Sequence, residues 1–107
     1  MHFFLEQILA VKPVDKMDDE HRNILRRCRE KLVKDMEPRE VLLQMEDPFL
    51  FTTEDEHKIK STLTRHQQCE KLLDILARKG ARAYEIFKKT IEKVHPHLTE
   101  IIVEAGK

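Results

Sequence analysis

The side chains from which a metal site or proton relay is most readily built include His21, His57, His66, His95 and His97, with the thiols of Cys28 and Cys69. Their spacing favours neither use. No histidine pair stands one helical turn from another around a glutamate, as a hydrolytic zinc site requires. The two cysteines are forty-one positions apart and neither has a second cysteine beside it, which indicates no Cys-x-x-Cys clip and no disulfide framework. Each falls on an apolar helix face, the position of a reduced core thiol in a cytosolic protein. There is no glycine-rich phosphate loop, no Gly-x-Ser-x-Gly elbow and no paired-acid site. The expectation is a protein with no catalytic residue, no cofactor and no metal.

The remaining chemistry is charge. Residues 20 to 34 carry six basic side chains against two acidic ones, and Arg22, Arg26 and Arg29 recur at steps of four and three. Those steps put them along one flank of a helix. From residue 37 to 56 the balance reverses, with seven acidic side chains against Arg39 alone. Over the whole chain the formal charge is zero. A neutral molecule with opposed charged flanks is suited to stacking head to tail on a relative of itself, and to filaments where the rotation does not close.

The elements that must position these charges are helices. A chain of 107 residues makes about one domain and buries roughly two-thirds of its unfolded surface. It is 40% apolar and 37% charged, with 2 glycines and 4 prolines, a mixture that favours helix over sheet. The strongest pattern spans Cys69 to Phe87. Cys69, Leu72, Leu73 and Leu76 line one helix face, and Tyr84, Phe87, Ile91 and Val94 line a second, with Gly80 between them as a left-handed cap in a helical hairpin. The first helix is expected over Asp18 to Met36, with Leu25, Cys28, Leu32 and Met36 inward and Asp18 or Asp19 capping. Pro38 begins a second helix carrying Val41, Leu42, Leu43 and Met45, and the Phe49-Leu50-Phe51 cluster folds back on the core. Thr53 and Glu56 form a capping box for a short third helix ending near Ser61, and Thr64 with Gln67 another for the fourth. Pro96 opens a sixth helix closed by Gly106. The fold class is all-α, an antiparallel six-helix bundle over residues 17–107, preceded by an extension of uncertain role over 1–16. That extension lacks the early positive charge and cleavage site of a signal peptide, and no apolar run approaches the roughly 20 residues of a membrane span.

Within this pattern Arg22-Asn23-Ile24-Leu25-Arg26-Arg27-Cys28-Arg29 resembles the first helix of a caspase recruitment domain. Leu72 to Leu76, Gly80, Tyr84 and Phe87 resemble its fourth and fifth helices, and His95-Pro96-His97-Leu98 its last turn between helices. The likeness covers residues 17 to 106. It implies a death fold with a bent first helix, no active site, and binding to other copies of the fold in apoptosis, inflammation or NF-κB signalling in the cytoplasm. Members commonly join a basic surface on the first and fourth helices to an acidic one on the second and third. By that resemblance Arg22, Arg26, Arg29 and Arg65 form the basic side, and Glu40, Glu46, Asp47, Glu54 and Asp55 the acidic side. The partner is another domain of the same family, in a caspase, an adaptor or a scaffold, with self-association open. Where apoptosome-linked members carry two further arginines, this chain has His66 and Glu70.

Two rival functions remain beside recruitment. A domain that occupies partners without passing on a signal would act as a decoy. A helix-turn-helix reader of nucleic acid would set the arginines of the first helix, or Lys88, Lys89 and Lys93, against phosphates. The zero net charge speaks against nucleic acid, as the hydropathy speaks against a membrane partner.

Overall fold

The computed structural model describes residues 17–45, 50–80 and 82–107. Among them are six α-helices and no strand: α1 (Asp19–Asp35), α2 (Pro38–Gln44), α3 (Thr53–Lys60), α4 (Arg65–Leu76), α5 (Ala83–Val94) and α6 (Pro96–Ala105). The 1–16 extension, Glu46, Asp47 and Phe49 lie outside the described residues.

All the helices but α5, which has no side-chain cap, start where local chemistry satisfies or removes a free amide. The Asp18 carboxylate accepts from the His21 amide at 2.9 Å, and Pro38 and Pro96 occupy first turns where no amide hydrogen is needed. Thr64 and Gln67 make the expected reciprocal box on α4. The box on α3 is displaced by one residue: Thr52, not Thr53, is the cap, and Asp55, not Glu56, returns the bond to its amide. Two adjacent threonines allow either frame. Asp55 is also held by Lys79, and that second tie favours the frame in which Asp55 faces the cap.

One core joins the helices. Leu25, Cys28, Leu32 and Met36 from α1 and its cap meet Cys69, Leu72, Leu73 and Leu76 from α4, Tyr84, Phe87 and Ile91 from α5, and Leu98 and Ile102 from α6. Met17 is already in this core one residue before the α1 cap. Phe51 is buried and Leu50 packs beside it, which seats the visible part of the apolar cluster where its composition predicts. Of the apolar residues carried by α2, Val41 and Leu42 fill the core while Leu43 is 74% exposed.

α1 packs on α6 and α4, α5 on α6 and α2, and α3 and α2 on α4. The helices flanking Gly80 are therefore not a closely packed hairpin; each finds its main partners elsewhere. Nor is Gly80 left-handed, since no glycine among the described residues has a positive φ. α4 ends earlier, at Leu76, where the Arg78 and Lys79 amides bond the carbonyls of Ile75 and Leu76 at 3.0 Å in a tightened last turn. The Gly80 carbonyl then receives the Ala83 amide at 3.0 Å at the entry to α5. α1, for which the resemblance implies a bend, runs without interruption from Asp19 to Asp35.

Candidate functional site

Three of the four arginines of α1 lie along its border with α4. Arg22, Arg26 and Arg29 flank a notch floored by Leu25, Leu73 and Ala77. Arg26 and Arg29 continue beside an adjoining groove of about 330 Å³ with Glu30, Val33, His66 and Glu70. Their setting follows from sequence: Leu25, Cys28 and Leu32 commit the inner stripe of α1 to the core, so residues at the intervening steps must emerge at its edge.

Opposite stands a ladder on α4, His66, Glu70 and Asp74, each one turn from the next. Arg29 reaches across to it, with its Nη2 3.0 Å from Asp74 Oδ1 and 3.6 Å from Glu70 Oε2. The same nitrogen donates to the Glu70 carbonyl at 3.1 Å. His66 Nε2 is 2.7 Å from the other Glu70 oxygen. Arg29 thus ties α1 to α4, whereas Arg26 is exposed and among the described residues reaches Asn23 on its own helix, at 2.9 Å.

Arg65 stands at the far end of this border and has a different environment. Its Nη1 donates to the carbonyls of Val33 (2.9 Å) and Met36 (2.8 Å), and its Nη2 to that of Lys34 (2.8 Å). These are the carbonyls that the end of α1 leaves without helical partners. A cation at the negative end of the helix also meets its dipole favourably. Arg65 is a clasp between α4 and the end of α1.

The acidic side has the same mixture. Glu40 is exposed on α2, 3.5 Å from Gln44 of the next turn, and Glu54 is exposed on α3, 3.5 Å from Lys58. Asp55 turns inward. Its side chain is 15% exposed, and it accepts from the Thr52 amide and pairs with Lys79, whose ammonium lies 5.9 Å from the centre of the Phe51 ring. Burial pushes its carboxyl up, but the Lys79 charge and the Thr52 bonds outweigh that and hold it below the usual carboxylate range.

Three polar contacts escaped the sequence reading because they join positions far apart in the chain. Arg27 donates to the Ala105 carbonyl at 2.8 Å and closes the end of α6 onto α1. The Glu37 amide, at the cap of α2, donates to His95 Nε2 at 3.0 Å. His21 stacks flat on Tyr84, with ring centres 4.0 Å apart, and so joins α1 to α5. The residue types gave no signal for these pairings, although a histidine directly before Pro96 is placed to touch a neighbouring helix end.

The arrangement is suited to contact rather than to bond-making chemistry. Burial pushes both cysteine thiols up to about 11, which leaves them protonated and poor nucleophiles. Among the described residues no group of histidine, cysteine, aspartate and glutamate is assembled to hold a metal ion. None of the described helices is long and apolar enough to cross a membrane. What the surface offers is a cationic edge on α1, a mixed ladder on α4 and exposed carboxylates on α2 and α3.

Comparison with known protein families matches residues 22–104 to the model described as the caspase recruitment domain. Comparison with curated proteins gives no match.

Proposed function

The chain belongs to the caspase recruitment domain family, a non-catalytic homotypic interaction module, and from that premise we propose that its α1–α4 flank binds the α2–α3 flank of another such domain. The partner domain sits in a caspase, an adaptor or a scaffold, and the contact recruits it in cytoplasmic apoptotic, inflammatory or NF-κB signalling. The chain acts in this either as a recruiting domain of a larger protein, a caspase prodomain among the options, or as a decoy that occupies the partner.

The observation that carries the reading is the position of Arg22 and Arg26. They border an apolar notch, and Arg26 remains exposed beside it, bonded among the described residues to Asn23 of its own helix. Exposed charge beside desolvated apolar surface gives steering and register to a domain contact. Glu40 and Glu54, exposed on α2 and α3, supply the opposite sign.

Arg26→Glu is the substitution that tests it. Arg29→Glu would also break the ties to Glu70 and Asp74 and so confuse binding with folding. Purified caspase recruitment domains from caspases and adaptors are passed over immobilised wild type and variant. At least one should be retained by wild type and lost by Arg26→Glu with an unchanged melting curve. Equal retention by both proteins would overturn the assignment of the flank.

A further inference from the structure

We propose that the groove between α1 and α6 is the seat of this chain's own N-terminal segment, residues 1–16, with apolar side chains among Phe3, Phe4, Leu5, Ile8 and Leu9 covering its floor in cis. That border takes no part in the α1–α4 contact proposed above, and the seat exists whether or not that contact forms.

α6 runs back along α1. Gly106 stands against the Ile24 side chain, and the Ala105 carbonyl takes the Arg27 guanidinium at 2.8 Å. Beside that tie the two helices border a groove of about 400 Å³. Cys28, Ile101 and Ala105 make its floor, with Ile101 and Ala105 half-buried and packed on the core. The hollow has a cause in residue size, because a thiol and a methyl stand where longer side chains would close the border. Its rims carry opposite charges, exposed Arg27 and Lys31 on α1 and exposed Glu100 and Glu104 on α6. Among the described residues no ion pair joins these rims: Arg27 is engaged by Ala105, and Glu104 turns to Lys107 at 3.3 Å. An apolar floor left open between two charged rims is the layout of a site for an apolar segment with charge at its edge.

The segment before α1 fits that site by composition, attachment and reach. Phe3, Phe4, Leu5, Ile8, Leu9 and Val11 crowd into its first eleven residues, where Glu6 is the one residue of formal charge. Side chains of this kind gain by leaving water, and Arg27 and Lys31 offer Glu6 the opposite sign at the rim. The segment joins the domain at Met17, which is itself in the core. Measured along α1 from Asp19, Arg27 lies about 12 Å away and Lys31 about 18 Å. About twelve residues span that distance as a helix, and fewer when extended. The tether also holds the segment at a high local concentration, which favours it over a free competitor of equal affinity. The α1–α4 border starts equally near Met17 but is the poorer seat. Its apolar notch is about 140 Å³, and the adjoining groove has Val33 as its one apolar lining residue. The α1–α6 groove joins the larger volume to an apolar floor.

The chain has no tryptophan, so Phe4→Trp in the full chain places a single indole in the segment as a reporter. Seated, the indole should emit at the short wavelengths of a buried ring and resist acrylamide, and both readings should be the same at every protein concentration. Adding Ala105→Arg, which blocks the floor, should raise quenching severalfold and shift emission to the red, with circular-dichroism melts checking the fold. Ile101→Gln stands in if the arginine variant melts early. Ala77→Arg, which blocks the notch on the α1–α4 border, should leave both readings unchanged. An indole quenched as readily as free tryptophan before any blocking substitution would overturn the docking. Release by Ala77→Arg and not by Ala105→Arg or Ile101→Gln would overturn the choice of groove. Protection that appears only as concentration rises would put the segment on a second copy and overturn docking in cis.

Discussion

The two charged flanks are built differently. Along α1 and α4 the charges cross between helices: Arg29 reaches Asp74 and the Glu70 backbone, and Arg65 grips the last carbonyls of α1. On α2 and α3 they pair mostly within one helix, as in Glu54 with Lys58 and Glu56 with Lys60, and the exception is Asp55 with Lys79. Cross-helix ties hold one flank in a shape defined before any partner arrives, whereas pairs along a single helix leave the other free to rearrange its side chains on contact. In the contact proposed above the first flank serves as the socket and the second as the adaptable insert. Both lessons come from the same composition of charged residues, so charge count alone does not distinguish them.

The largest test of this contrast removes what lies under the socket. Leu73 is 3% exposed beneath the notch, and Leu73→Ala should lower stability by about 2–5 kcal/mol through the cavity it leaves. A urea midpoint equal to that of wild type would show that the α1–α4 border is not packed as described.

Removing the clasp should cost less. Arg65→Ala removes the guanidinium from the Val33, Lys34 and Met36 carbonyls, of which Met36 keeps the Cys69 thiol as donor, and is expected to lower stability by about 1–3 kcal/mol. Arg65→Lys, with a single ammonium in place of a planar fork, should recover only part of that. Equal urea midpoints for wild type and both variants would return Arg65 to the role of a surface charge available to partners.

The helices and much of their capping were readable from the chain because their causes are local. Apolar residues at steps of three and four marked the inner faces of α1, α4 and α5, and Asp18, Pro38, Thr64 and Pro96 announced starts within one turn of where they act. The arginine row on α1 was readable for the same reason. The division of labour among the charges was not. Whether Arg65 meets a partner or the end of α1, or whether Asp55 faces solvent or Lys79, depends on how residues some twenty-four to thirty-two positions apart are brought together. Gly80 misled because glycine permits a left-handed cap without requiring one, and α4 closes instead with a tightened turn three residues earlier. Adjacent Thr52 and Thr53 left the α3 cap ambiguous by one residue, and the deciding contact with Lys79 comes from the turn that follows α4.

The smallest expected effect lies at the cap of α2, apart from the α1–α4 flank, and serves as a control for it. His95 Nε2 accepts the Glu37 amide, a bond available only to the neutral ring. Burial, and then the neighbouring His97, push its pKa down, against an opposing pull from Glu37, Glu40 and Asp35. A folded-state pKa below that of the unfolded chain means that this contribution is complete above about pH 6.5 and is lost as the pH falls through the folded value. Asp55 acts in the same direction at lower pH, since its depressed pKa adds stability above about pH 3.9 that is lost on further acidification. His95→Gln should flatten the fall in urea midpoint between about pH 7 and pH 5. An unchanged slope would remove His95 from the account without touching the α1–α4 flank.

The central claim is that one flank of this domain fits the other flank of its like, and mixing two singly blocked proteins tests it most directly. Arg26→Ala keeps the α2–α3 surface but loses the basic edge, and Glu54→Ala does the reverse, so the two blocked faces gain no new pair of opposite charges. Light scattering should find each alone unable to assemble, and an equimolar mixture should form a 1:1 complex that grows no further, because only one intact pair of surfaces remains. A mixture that stays monomeric while wild type assembles, or variants that each assemble alone, would contradict the claim.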